Sequence, residues 1–404
     1  MGRCGAPPLF VSDGFFVGLL NLCSGSLPRA HLRSRDGGAR AVPKLCRAEA
    51  WIVGRAKAVP AASNLRLGSR AGGSAVRDAG IVPEAPFASL VSLPHNPVPT
   101  GATVGLFRGY DGTLLRFAHW PATRGPRRGT VCIFPGRSEF IEKYLETVGD
   151  LRRRGFAVAA MDWRGQGGSE RPLSDKRKGH VRDFDEYDRD LRCFMREVAL
   201  PDCPPPFYAL AHSMGGNVLL RNAVETGTWF ERIILTAPML ELQRERLGGY
   251  APWLVETYAR LGAATGQGTN YIMGGGPDPL DADGFEGNVL TGDRERFDRS
   301  RMLMRAAPAL LIGDPTVGWL AAAFRSMRSL QDRDYPGRVV VPLLIYTAGA
   351  DRIVRPRAIE DFAARLKVGA HVLLETSRHE ILQERDDIRA RFWAAFDAYL
   401  GIRQ

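Results

Sequence analysis

The sequence has no long hydrophobic run. None of its uninterrupted apolar stretches reaches the roughly 18 to 20 residues that a helix needs to cross a bilayer. A short apolar run at residues 15–22 follows Asp13, and Arg3 is the only basic residue before it. This is a poor match to a secretory signal, which begins with positive charge. We therefore expect no membrane-spanning helix.

Cysteine is scarce. The six cysteines contain no CxxC pair and no spacing typical of a metal site. Cys132 lies in an apolar segment, where we expect it to behave as a small buried hydrophobic residue. Nothing in this pattern requires an oxidising compartment, so we expect a cytoplasmic protein, with contact at the inner face of a membrane as an option.

Acidic charge is sparse at one end of the chain. Of the net charge of +11 over 404 residues, +8 falls in residues 1–80, which hold 12 Lys or Arg against four acidic residues. That stretch is rich in Gly, Ala, Ser and Arg and has no helical or strand period. We interpret residues 1–80 as a disordered or weakly ordered extension, arising from an upstream translation start or a targeting segment. The rest is close to neutral, so no nucleic-acid partner is expected.

From about residue 100, apolar strands alternate with helical segments. Two alternating runs hinged on Asp111-Gly112 predict a hairpin. Further strands are predicted over 130–134, 156–162, 207–212, 232–237, 341–347 and 371–375, with helices over 141–154, 184–198 and 386–400. This alternation predicts an α/β fold with a mostly parallel sheet. Residues 100–240 and 336–404 would form the core, and 241–335 a helical cap or lid insertion.

The central feature is the segment at residues 207–220. It begins as a buried strand and ends as an apolar helix, with Ser213, Gly215 and Gly216 at the junction. A small-x-Ser-x-Gly pattern between strand and helix is the nucleophile elbow of serine hydrolases. Ala211 stands where a glycine is usual, and it fits if its φ stays negative.

Two other strand ends carry the partners that a nucleophilic serine needs. Asp351 follows the strand at 341–347, and His379 follows the strand at 371–375. The order Ser, Asp, His is that of the α/β-hydrolases. His379 would act as general base and acid, and Asp351 would orient its ring. We expect the backbone N–H groups of Met214 and Arg137 to form the oxyanion hole.

Other polar residues near strand ends are interpreted as structural. His119 and His371 fall within strands, and His212 lies beside the nucleophile. Asp162, at the end of a strand, is expected to be a hydrogen-bonded structural carboxylate. His180 is placed near the rim of the cleft.

Several motifs carry a family resemblance: Asp162-Trp163-Arg164-Gly165-Gln166-Gly167-Gly168-Ser169, Gly179-His180-Val181 with Phe184-Asp185-Glu186-Tyr187, and Ala211-His212-Ser213-Met214-Gly215-Gly216. Together they resemble the lysophospholipase and monoacylglycerol-lipase group of α/β-hydrolases, with which serine aminopeptidase-like hydrolases are classed. Residues 313–320 are similar to the bacterial lysophospholipase subgroup. The family often has His-Gly where this chain has Pro135-Gly136.

The resemblance implies a serine hydrolase that cleaves lysophospholipid or monoacylglycerol esters through an acyl-enzyme, without metal or cofactor. Aromatic residues in 241–335 would mostly form the core of the cap, although an apolar roof also suits an acyl chain. Partners would be the lipid ester and, transiently, a membrane surface. Two alternatives stay open: a peptidase or amidase on the same scaffold, and a catalytically silent binding module. Chain length, head group and oligomeric state are not indicated.

Overall fold

A computed structural model describes residues 87–123, 127–279 and 284–402. The expectation for residues 1–80 lies outside these ranges.

One eight-stranded sheet forms the centre of the described chain. Its strands are β1 (Thr103–Arg108), β2 (Leu114–Trp120), β3 (Thr130–Phe134), β4 (Ala157–Met161), β5 (Phe207–His212), β6 (Phe230–Thr236), β7 (Leu343–Ala348) and β8 (Gly369–Leu374). They lie in the order β1-β2-β4-β3-β5-β6-β7-β8. β2 runs antiparallel to β1 and β4, and every other neighbouring pair is parallel. The predicted α/β fold with a mostly parallel sheet is confirmed.

Helices connect the strands and cover the sheet. They are α1 (Leu145–Arg153), α2 (Asp185–Phe194), α3 (Leu200–Asp202), α4 (Ser213–Asn222), α5 (Pro252–Ala264), α6 (Arg294–Ala306), α7 (Val317–Leu330), α8 (Tyr335–Arg338), α9 (Pro356–Ala363) and α10 (Asp386–Tyr399). The helix predicted over 141–154 starts with a 3₁₀ turn at Ile141–Tyr144. Within the described ranges, no helix combines the length and apolar character needed to cross a bilayer.

Both faces of the central strands are buried, and successive side chains of a strand point to opposite sides. In β3, Cys132 and Phe134 belong to one apolar cluster, and Val131 and Ile133 belong to another on the opposite face. β3, β4 and β7 are buried at every position. Continuous apolar strands covered on both sides are typical of parallel sheets.

The residues between β6 and β7 contain α5 to α8. In α7, eleven residues are buried, and Trp319, Leu320 and Phe324 join the cluster that packs on the sheet. The aromatic residues of this region differ in exposure. Phe297, Trp319 and Phe324 are buried, whereas Tyr250, Trp253 and Tyr258 are exposed.

The strand order brings several loops to one edge. β3, β5, β6, β7 and β8 are consecutive parallel neighbours, so the loops after their carboxyl ends lie side by side. Ser213, Asp351 and His379 follow β5, β7 and β8. Functional groups of open α/β sheets gather at this edge.

Candidate active site

Ser213 stands at a strained junction between β5 and α4. Its φ is 50°, in the left-handed region that non-glycine residues rarely adopt. Ala211 keeps a negative φ, so its Cβ is tolerated in the place where glycine is usual. Ser213 is 8% exposed, and its carbonyl oxygen accepts a hydrogen bond from the Met239 N–H. This bend matches the nucleophile elbow that the sequence predicts.

The two glycines after Ser213 are required by close backbone contacts. A Cβ on Gly215 would lie 2.4 Å from the Phe134 carbonyl oxygen and 2.6 Å from that of Pro135. A Cβ on Gly216 would lie 2.9 Å from the Pro238 Cβ. The glycines thus let the first turn of α4 lie directly against the loop after β3.

Three predicted residues come together at this junction. His379 Nε2 lies 3.0 Å from Ser213 Oγ, and His379 Nδ1 lies 2.6 Å from Asp351 Oδ2. The other Asp351 oxygen accepts hydrogen bonds from the N–H groups of Ile353 and Val354, at 2.7 and 3.0 Å. These bonds aim the remaining carboxylate oxygen at the imidazole ring.

Electrostatics at the site favour a basic imidazole. Burial by itself lowers the pKa of His379, but the charge of Asp351 and its hydrogen bond outweigh burial, so the net shift is upward. With Nδ1–H donating to Asp351, Nε2 presents its lone pair to the Ser213 hydroxyl. This arrangement can remove a proton from the serine.

The predicted oxyanion donors are placed consistently with that role. Neither the Met214 nor the Arg137 backbone N–H makes a hydrogen bond to any described residue. Met214 belongs to the first turn of α4, where N–H groups lack helical partners and the helix dipole favours negative charge. The neighbouring Gly136 N–H, in contrast, donates to Glu139 Oε2 at 2.6 Å.

The motif at residues 162–169 holds the loop after β3 in place. Trp163 Nε1 donates to the Pro135 carbonyl oxygen at 2.8 Å, and Gln166 Nε2 donates to that of Gly136 at 2.7 Å. Asp162 is fully buried and accepts from Arg116, the Ile141 N–H and the Gly168 N–H. Its contacts are those of a structural carboxylate, as expected from the sequence.

A buried polar network behind the site was missed by the sequence analysis. Glu139 accepts from Tyr144 Oη at 2.5 Å and lies 3.4 Å from Lys143 Nζ, which is also 2.6 Å from Glu380. Burial disfavours the Glu139 carboxylate, but the nearby positive charge and hydrogen bonds lower its pKa to about 2. In the sequence, the only sign of this network was the spacing of four residues between Glu139 and Lys143, which is typical of ion pairs.

Three other histidines of the described chain, His180, His212 and His371, make structural contacts. The ring centroid of His212 lies 4.7 Å from that of His379, and His212 Nδ1 is 3.0 Å from the Thr236 carbonyl oxygen. Burial lowers the pKa of His212 to about 4, so its ring is neutral beside His379. His180 Nδ1 lies 2.9 Å from Thr316 Oγ1 at the start of α7, and His371 pairs with Thr347.

Comparison with known proteins extends these observations. Residues 125–386 match the family described as serine aminopeptidase, S33. The chain is 31% identical over 291 residues to lysophospholipase L2 of Escherichia coli K12, covering 70% of this chain and 83% of that protein. It is 23% identical over 273 residues to a mouse monoglyceride lipase, covering 67% of this chain and 77% of that protein.

A solved structure shares the fold. A soluble variant of monoglyceride lipase from Saccharomyces cerevisiae, in complex with a substrate analogue, superposes with a TM-score of 0.58 at 19% identity. The matched region covers 75% of this chain and 97% of the yeast chain. At this identity the likeness supports the fold alone. The family match, which spans more than half of the sequence, establishes that the chain belongs to the serine aminopeptidase S33 family of α/β-hydrolases.

Proposed function

We propose that the protein hydrolyses carboxylic esters of lipids by nucleophilic catalysis at Ser213. The observation that carries this proposal is the continuous hydrogen-bonded series from Ser213 Oγ through His379 to Asp351, at 3.0 and 2.6 Å. A serine hydroxyl is a weak nucleophile, and an adjacent oriented base is what activates it.

The proposed reaction has two halves. Ser213 Oγ attacks the ester carbonyl carbon while His379 Nε2 takes its proton, and the oxyanion accepts hydrogen bonds from the Met214 and Arg137 N–H groups. His379 then gives the proton to the leaving alcohol, which leaves an acyl group on Ser213. A water molecule repeats the sequence and releases the fatty acid. Asp351 stabilises the imidazolium in both halves without itself taking a proton.

The names of the relatives support a lipid substrate. Lysophospholipase L2 and monoglyceride lipase both act on an ester between one acyl chain and a glycerol-based alcohol. We assign residues 241–335 as the cap over this site. Arg137 of the loop after β3 donates to the Gly313 carbonyl oxygen of that region at 2.8 Å, which supports the assignment.

The test compares purified wild type with Ser213→Ala and His379→Ala on a panel of long-chain lipid esters. Each substitution should lower kcat at least about a thousandfold, because triad members act as a unit. His371→Ala is the matched control, since His371 is exposed and pairs with Thr347 outside the site. Near-normal turnover by Ser213→Ala would contradict the proposal.

Two alternatives are separated by further arms of the same experiment. An amidase or peptidase would cleave an aminoacyl anilide faster than a chromogenic acyl ester of equal concentration. A silent binding module would not be labelled by a fluorophosphonate, which reacts with activated serines. The proposal predicts labelling of wild type that is lost in Ser213→Ala.

We also propose that the cap touches a phospholipid surface. α5 exposes Trp253, Leu254, Tyr258 and Leu261, which are spaced so that they share one helix face, and Met273 nearby is 74% exposed. Tryptophan and tyrosine among aliphatic side chains are typical of helices that lie at a membrane interface. A surface of this kind would bring the lipid substrate close to the cap.

Sedimentation with phosphatidylglycerol-containing vesicles tests the contact. Combined Trp253→Gln and Leu261→Gln should reduce the bound fraction severalfold. Leu200→Gln, an exposed leucine on α3, should not. Equal binding of all three proteins would contradict a contact through α5. Concentration-dependent dimers lost in the double variant would assign the face to a second copy instead.

A further inference from the structure

Lys143 joins two loops of the active site through a buried ion cluster. It lies in the 3₁₀ turn Ile141–Tyr144 and is 8% exposed. Its Nζ lies 3.4 Å from Glu139 Oε1 and 2.6 Å from Glu380 Oε1. Glu139 belongs to the loop after β3, which carries a proposed oxyanion donor, and Glu380 directly follows His379. One ammonium group therefore contacts a carboxylate from each of the two loops.

These two loops begin at strands that are not neighbours. β5, β6 and β7 lie between β3 and β8 in the sheet. Adjacent strands are about 4.8 Å apart, so the carboxyl ends of β3 and β8 are separated by roughly 19 Å. Both loops must cross part of this distance to place an oxyanion donor and His379 beside one ester carbonyl. A direct contact between the loops fixes their separation, which the strands alone leave open.

A second contact reinforces the same connection. Gln383 Nε2 donates to the Lys143 carbonyl oxygen at 2.7 Å, and the Gln383 N–H donates to the Glu380 carbonyl oxygen at 2.8 Å. Gln383 and Glu380 are both buried. The segment after His379 is thus bound to Lys143 at two points, one on its side chain and one on its main chain.

Glu139 holds the peptide group that contains the proposed oxyanion donor. Its Oε2 accepts the Gly136 N–H at 2.6 Å, and Gln166 Nε2 donates to the carbonyl oxygens of Gly136 and Glu139 at 2.7 and 3.1 Å. The Gly136 carbonyl and the Arg137 N–H belong to one planar trans peptide group, so they point in opposite directions. Fixing the carbonyl towards Gln166 therefore also fixes the direction of the Arg137 N–H.

Stability alone is a weak reason for such a cluster. Removing three charged groups from water costs free energy that largely cancels their mutual attraction, and well-packed apolar residues of similar volume are often as stabilising. Charge-assisted hydrogen bonds differ from apolar contacts because they are short and directional, so they fix the positions of the groups that they join.

We propose that Lys143 is a positioning residue for catalysis, which sets the distance and orientation between the Arg137 N–H and His379 through Glu139 and Glu380. This inference rests on the serine-ester mechanism proposed above. Lys143 acts through its two carboxylate partners and not on the ester itself. Its loss should therefore lower kcat and leave KM nearly unchanged, because the contacts that bind the substrate stay in place.

The experiment compares an octanoyl ester with the matching thionoester, in which sulfur replaces the carbonyl oxygen, both below their micelle concentrations. Sulfur is a much weaker hydrogen-bond acceptor than oxygen. The ratio of kcat/KM for the oxygen ester to that for the sulfur ester therefore reports the alignment of the oxyanion donors. Lys143→Met should lower kcat on the oxygen ester about a hundredfold, as expected for a misplacement of about 1 Å, and lower the ratio about tenfold.

Two further variants separate positioning from stability. Glu380→Gln keeps an oxygen that can accept from Lys143 but loses the charge, so kcat and the ratio should fall less than in Lys143→Met. The triple variant Glu139→Gln, Lys143→Met, Glu380→Gln replaces every charge of the cluster by a neutral group of similar size. Its Tm should recover relative to Lys143→Met, whereas its ratio should stay low.

The matched control is Arg154→Met. Arg154 pairs with Asp397 at 2.7 Å, between the end of α1 and α10. This pair lies at the amino end of β4, and Ser213 lies at the opposite edge of the sheet. Loss of the pair should lower Tm but keep the wild-type ratio and kcat.

The inference is overturned if Lys143→Met and Glu380→Gln lower Tm but keep the oxygen-to-sulfur ratio within about twofold of wild type. A rise in KM at unchanged kcat would also overturn it, because the cluster would then act in substrate binding. If Lys143→Met does not fold, Glu380→Gln decides the question. If wild type cleaves no ester and takes no fluorophosphonate label, the proposed function itself fails, so the two failures are distinguishable.

Discussion

Gly215→Ala tests whether α4 and the loop after β3 act as one unit. The new Cβ would lie 2.4 and 2.6 Å from the carbonyl oxygens of Phe134 and Pro135, and both are backbone atoms that cannot rotate away. Relieving the contact requires a shift of roughly 1 Å, which costs about 1–3 kcal/mol as for other overpacked sites. Alanine in a helix returns up to about 1 kcal/mol, so the net loss of stability should be about 0–2 kcal/mol.

The larger effect of Gly215→Ala should be on catalysis. The displaced carbonyls belong to the residues two and three positions before Arg137, whose N–H is a proposed oxyanion donor. A misplacement of about 1 Å in a catalytic group can cost about a hundredfold in rate. We therefore expect kcat on a soluble ester to fall about a hundredfold, with a small fall in Tm and unchanged fluorophosphonate access to folded protein.

The matched control is Gly149→Ala in the middle of α1. Its Cβ would approach only the far end of the Arg153 side chain, at 3.4 Å, so helix propensity should stabilise the variant by about 0.5–1 kcal/mol with normal kcat. Steady-state kinetics and thermal unfolding of both variants give the comparison. Wild-type kcat in Gly215→Ala would refute the link between the glycine, the loop and the oxyanion.

Three other predictions concern proton transfer, the acyl pocket and the core. Because Asp351 raises the pKa of His379 and catalysis needs the neutral imidazole, kcat/KM should fall with decreasing pH, with its midpoint above the pKa of a free histidine. Asp351→Asn should move this fall to lower pH and reduce kcat about ten-thousandfold. If the cap binds an acyl chain, each buried methylene should add up to about 0.8 kcal/mol of binding free energy in the transition state. Extending the acyl group of an ester from four to eight carbons should then raise kcat/KM by about one to two orders of magnitude. A kcat/KM that does not change with acyl length would contradict this. Arg116→Met should lower the free energy of unfolding by about 3–5 kcal/mol, because the buried Glu142 and Asp162 lose their counter-ion. Arg357→Met on the surface is the control, and thermal unfolding should show a change of less than about 0.5 kcal/mol.

The sequence determined the fold class because its signals are local. Continuous apolar strands such as 130–134 and 156–162 can only be buried on both faces, and strands alternating with helices lead to a parallel sheet. The same locality explains why Ser213, Asp351 and His379 could be named in advance. Each follows directly after a strand, and the carboxyl ends of parallel strands meet at one edge of the sheet.

The contacts around these residues were decided by the tertiary structure. Glu139 and Glu380 are 241 positions apart in the chain, yet both lie within 3.4 Å of Lys143 behind the site. Arg137 was identified from the sequence only as a backbone donor, but its guanidinium contacts the Gly313 carbonyl oxygen and the Trp319 ring, which lie far along the chain. The sequence tells which side chains are charged. Whether a charge is neutralised depends on the tertiary structure, which brings distant groups close to it. Local patterns therefore predicted the scaffold and the three side chains that we propose as catalytic, and packing alone decided their electrostatic environment.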